Sequence, residues 1–132
     1  MTNISANISA NQWDLANFKI IPAHIMVAEP INGIAAITTP INALMNLDEA
    51  QDYASSLEKG RVWEIPTIEE LQTILSIYGI LGLNNKLKKP VWSSTSDPNY
   101  NSRALAIDFA TNHVISRDKK IDQLEVICVS YC

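Results

Sequence analysis

The sequence predicts an α+β fold, two helices packed on a twisted, mainly antiparallel sheet, and three features of the chain carry that expectation. Two capping boxes, Asn46 with Glu49 and Thr67 with Glu70, each open a stretch of helical apolar spacing. Residues Ala104 to Phe109 place Leu105, Ile107 and Phe109 on one face ahead of a tight turn at Thr111-Asn112, the pattern of a hairpin strand. Leu124 to Tyr131 is largely apolar on both alternating faces, as a central strand requires.

Taken in order, residues 1–12 hold the direct repeat Asn3-Ile4-Ser5-Ala6 and Asn7-Ile8-Ser9-Ala10 in a polar setting. They predict a flexible arm ahead of a single domain spanning 13–132. The repeats match the N-x-S glycosylation pattern, which without an export signal is coincidental. From Phe18 to Ala28 the apolar and β-branched content rises, predicting one or two strands, with Pro22 pointing to an edge or a bulge. Glu29-Pro30-Ile31-Asn32-Gly33 reads as a turn and Ile34 to Thr38 as a short strand. Asn46 to Glu58 predicts a helix stopped by Gly60, with Leu47, Ala50, Ala54 and Leu57 facing inward.

Pro66 disfavours helix at Ile65, so Val62 to Ile65 should enter the second helix as an extended segment. That helix is expected from Ile68 to about Tyr78, ending at Gly79, with Ile68, Leu71, Ile74, Leu75 and Tyr78 buried. Gly79 to Lys89 reads as a loop, and Pro90 blocks helix ahead of Val91 and a core Trp92. Ser93-Ser94-Thr95 should enter a loop, because adjacent hydroxyls bond local backbone, and Ser96 to Ser102 is the most loop-like interior segment.

The run Trp63-Glu64-Ile65-Pro66-Thr67-Ile68-Glu69-Glu70-Leu71, then Val91-Trp92-Ser93-Ser94-Thr95, then a hairpin and a last strand carrying Cys128-Val129, resembles the bacterial Lcl C-terminal domain family, also known as DUF1566. The resemblance covers roughly residues 61–130, and the same order of elements could extend upstream to about residue 18. It implies a C-type lectin-like fold, hence recognition, without implying a ligand. Cys128 matches the cysteine of that family's terminal motif, but the chain has no second cysteine to pair with it in an extracellular manner. Cys132 lies four residues on, and roughly 13 Å away if that segment is a strand, beyond the about 7 Å a disulfide tolerates. That favours a reducing compartment or delivery that does not rely on disulfides.

Composition narrows the function classes. The net charge of −4 and the mixing of acidic with basic residues oppose binding to a phosphate backbone. Lys86, Lys88 and Lys89, and later Arg117, Lys119 and Lys120, are the only local basic groups and read as solvated loops. No basic n-region with an apolar core opens the chain, and no apolar run approaches the about 20 residues that cross a membrane. The default compartment is the cytoplasm.

Catalytic chemistry finds little support. His24 and His113 fall in different elements without a Cys, His or Asp at ligand spacing, so no metal and no cofactor is expected. Glu29-Pro30 followed by Asn32 approximates a lectin calcium motif but is one residue out of register, and the oxygen ligand count of calcium is not met. Glu69-Glu70 is explained by the helix start, and Asp108 reads as a surface or turn-stabilising carboxylate. Cys128 is the residue to check, because formylglycine-generating enzymes share the broader lectin-like fold. They use a cysteine pair that this chain does not reproduce, and a buried, inert thiol is the expectation.

The remaining candidate is surface. Asp97, Asn99, Tyr100, Asn101 and Arg103 combine an aromatic ring, amides, a carboxylate and a guanidinium, a mixture suited to a protein or glycan ligand. The sequence therefore predicts a non-enzymatic recognition domain that binds through the loops between Gly79 and Arg103. The alternatives are a small intracellular phage or mobile-element protein that inhibits or adapts a bacterial host complex, and a lectin-like-fold enzyme. Nothing in the sequence excludes a homo-oligomer.

Overall fold

The computed structural model describes residues 24–31 by their backbone path, and residues 33–39, 41, 43–57 and 62–131 in full. The arm at 1–12, the segment 18–23 with Pro22, the Gly60 stop and Cys132 lie outside the described residues. Among the described residues two α-helices and seven strands follow one another as β1 His24–Ile31, β2 Ile34–Thr38, α1 Leu47–Ser55, β3 Trp63–Glu64, α2 Ile68–Leu81, β4 Val91–Asp97, β5 Tyr100–Asp108, β6 His113–Asp118 and β7 Val129–Tyr131. The class is α+β, but the strands form two small antiparallel sheets, in the orders β1-β2-β7-β3 and β4-β5-β6, where a single sheet was expected.

The chain between Leu124 and Tyr131 explains the division. It was expected to be one strand, yet only Val129–Tyr131 joins a ladder, lying between β2 and β3 as a central strand should. Upstream, Leu124 makes an antiparallel bridge to Met45 and Glu125 a parallel bridge to Val91. This segment thus reaches the second sheet by the single Glu125–Val91 bridge, while the Leu124–Met45 bridge ties it to the chain ahead of α1.

Alternation along the strands separates two cores. Ala36, Trp92, Ala104, Ala106, Val126 and Cys128 face a cluster completed by Leu47, Ala50 and Ala54 of α1. Ile34, Val91, Ile107, Ile127 and Val129 face the other, completed by Ile68, Leu71, Ile74 and Tyr78 of α2. Each helix therefore covers its own side, and burying both faces accounts for the double apolar pattern of 124–131. Trp92 is fully buried as expected, and its Nε1 donates to the Met45 carbonyl at 2.8 Å. Tyr78 meets Phe109 edge-to-face at 5.9 Å, and its hydroxyl donates to the Thr38 carbonyl.

Both capping boxes form. Glu49 N donates to Asn46 Oδ1 at 2.8 Å with the reciprocal bond at 2.9 Å, and Glu70 N donates to Thr67 Oγ1 at 3.2 Å with its reciprocal at 2.9 Å. α1 closes at Ser55, short of Glu58, because the Ser56 hydroxyl and amide turn back onto the Tyr53 and Asp52 carbonyls. α2 runs past Gly79 to Leu81, since the left-handed cap falls on Gly82, whose φ is +71°. The predicted turn at 29–33 is tighter than the sequence suggested. β1 continues through Pro30 to Ile31 with a register shift after Met26, and Ile31 already pairs with Ile34.

Candidate functional site

The two motif halves that carry the family resemblance meet where β4 passes the start of α2. Ser94 N donates to the Pro66 carbonyl at 2.7 Å, and Ile68 N donates to Thr95 Oγ1 at 2.9 Å. Ser93 Oγ donates to the Leu105 carbonyl at 2.7 Å. These hydroxyls do not open a loop as expected. They let β4 continue to Asp97 by bonding partners on α2's entry and on β5. The expected loop at 96–102 is accordingly the end of a hairpin, with a two-residue turn at Pro98-Asn99 between β4 and β5.

That hairpin end is braced across three strands. Asp97 Oδ1 accepts from the Asn99 amide at 2.8 Å, a side chain closing its own turn. Asp97 Oδ2 accepts from Ser116 Oγ of β6 at 2.6 Å, and Ser116 Oγ in turn accepts from Arg103 Nε at 2.9 Å. The Ser116 carbonyl takes Arg103 Nη2 at 2.6 Å and Arg117 Nη1 at 2.9 Å. Lys119 Nζ donates to Ser96 Oγ at 3.0 Å, while its backbone amide donates to the Ser102 carbonyl. The Ser116 hydroxyl, then the Asn99 amide and more weakly the Arg103 guanidinium, hold the Asp97 carboxyl below its ordinary value.

Of the five predicted residues, Asp97 and Arg103 are brought together through Ser116, and Asn99 joins through its backbone. Tyr100 and Asn101 open β5 beside them, with Tyr100 62% exposed. A cavity of about 520 Å³ adjoins, where Asn101 and Ser102 meet Asp118, Lys120 and Ile121 of the next turn and Asp48 of α1. Asp118 shapes that turn by accepting from the Lys120 and Ile121 amides at 2.9 and 3.0 Å. Ser116, Arg117 and Lys119 were missed as parts of the site. Their signal was available only through register, since Arg103 pairs with Asp118 and Leu105 with Ser116.

The expected turn role of Asp108 holds, its Oδ1 accepting from the Ala110 amide at 3.0 Å. Cys128 is fully buried and free, and burial pushes its thiol up to about 12, so little thiolate exists near neutrality. Among the described residues no three His, Cys, Asp or Glu side chains assemble into a metal-binding group, and no helix is long and apolar enough to cross a membrane. The hairpin end offers a fixed pattern of donors, acceptors and one aromatic ring, an arrangement suited to holding a ligand. Neither a protein-family model nor a curated protein matches the chain.

Proposed function

We propose that the chain is a non-enzymatic recognition domain of C-type lectin-like fold, holding a protein or glycan ligand at the end of the β4–β5 hairpin and in the adjoining cavity. The observation that carries this reading is the Arg103–Ser116–Asp97 chain of hydrogen bonds across three strands. A polar surface fixed before the ligand arrives loses less entropy on binding, and an exposed tyrosine beside it supplies contact area at low cost. The lectin-like assignment rests on the family resemblance and is supported by the contact between its two motif halves. The test is to present the tagged chain in parallel to a glycan array and to bacterial lysate, with Tyr100→Ala as control. The reading expects a ligand retained by the native chain and weakened by the substitution. Retention unaffected by Tyr100→Ala, whatever the ligand, contradicts it.

A further inference from the structure

Glu125 stands out in a run of apolar neighbours. It is 5% exposed, and its main chain bridges β4, the amide donating to the Pro90 carbonyl at 2.9 Å and the carbonyl accepting from Trp92 N at 3.1 Å. Its Oε2 accepts from the Lys88 and Lys89 amides at 2.8 and 3.2 Å, fastening the loop that leads into β4. Oε1 has no hydrogen bond among the described residues. It is not sealed in the core, because Glu125 forms the wall of a concavity of about 310 Å³ that Leu44, Lys86, Lys88 and Lys89 also line.

The chemistry of these groups restricts what fits. Oε1, facing the concavity with no donor among the described residues, is an open acceptor for a donor on a bound molecule. Lys86, Lys88 and Lys89 line the concavity with the one carboxylate, so its net charge is positive, which disfavours a cationic donor and favours a neutral one. The same lysines attract an anionic group. We propose that this concavity binds a hydroxylated anion, an acidic monosaccharide, with a hydroxyl donating to Glu125 Oε1 and the sugar carboxylate against Lys86, Lys88 and Lys89. Its volume lies at the lower end of ligand sites, about 300–1,000 Å³, which suits a single sugar ring. The site shares no residue with the hairpin end and stands independently of the function proposed there.

The experiment is an amide-resolved NMR titration of the full chain with sodium glucuronate, methyl glucoside and sodium acetate. Glucuronate is expected to shift residues 86–89 and 125 saturably, about tenfold more tightly than either of the others, the gain of roughly one well-made hydrogen bond or ion contact. The exposed-lysine variant Lys86→Ala, Lys88→Ala, Lys89→Ala keeps the fold and should abolish the response. Glu125→Gln, whose amide oxygen still accepts from the loop, should lose most of it; if that variant does not fold, the lysine variant decides. Equal shifts from acetate, meaning an adventitious ion only, equal shifts from methyl glucoside, or a response that survives the lysine substitutions would each overturn the proposal.

Discussion

Thr38 joins three parts of the molecule through a single residue. Its Oγ1 accepts from the buried Cys128 amide at 2.9 Å, its amide donates back to the Cys128 carbonyl at 3.0 Å, and its carbonyl takes the Tyr78 hydroxyl. Thr38→Val keeps the volume but strands the Cys128 amide, so it should cost about 1–3 kcal/mol in urea unfolding. Ser116→Ala should leave stability nearly unchanged yet raise the pKa of Asp97, which carbon-detected NMR titration reads directly, because the hydroxyl is the largest cause of its depression. Both residues show where sequence stops at this scale. Trp92 and the apolar stripes were legible from their own identity, whereas a hydroxyl declares no partner. Ser93, Ser94 and Thr95 looked like loop residues because the carbonyls and amide they bond lie up to 28 positions away. Glu125 did carry a signal, a lone charge in a segment whose two faces are both buried.

Helix starts were legible because a capping box is contained within four consecutive residues, and both starts fall where the sequence put them. The end of α2 was not, because Gly79 and Gly82 offer the same residue type and only backbone geometry separates them. That difference gives a paired test. A Cβ on Gly79, inside the helix, would meet nothing nearer than Asn84 Nδ2 at 3.8 Å, so Gly79→Ala should stabilise by about 0.4–1 kcal/mol. Gly82 sits at φ +71°, so Gly82→Ala should destabilise by about 1 kcal/mol despite open space around it. Melting temperatures of the two variants should move in opposite directions. A common direction would place the helix end elsewhere.

The alternating apolar patterns announced an α+β molecule with β7 in the interior of a sheet, but the division into two sheets was hidden. Upstream of β7 the two sheets meet only in the isolated Glu125–Val91 bridge among the described residues, and pairing partners are not written in either strand's own pattern. Burial of the thiol also gives the whole molecule an alkaline limit. Cys128 is raised from 9.0 to about 12, with desolvation as the cause. A folded-state pKa above the unfolded one gives stability that is intact below pH 9 and drains away as pH climbs toward 12. Tyr53, Tyr78 and Tyr131, also raised chiefly by burial, add to the loss above their ordinary value of 10.0. Cys128→Ala should therefore flatten the fall of unfolding free energy between those limits, as urea titrations at successive pH values would show. Ligand binding at the hairpin end is read most directly by calorimetric affinity for the captured ligand in the native chain and in Tyr100→Ala, with melting temperature recorded alongside. Recognition through Tyr100 requires affinity to fall by about tenfold or more on that substitution, as for an aromatic anchor, with the melting temperature nearly unchanged. Equal affinity in the two proteins would contradict it.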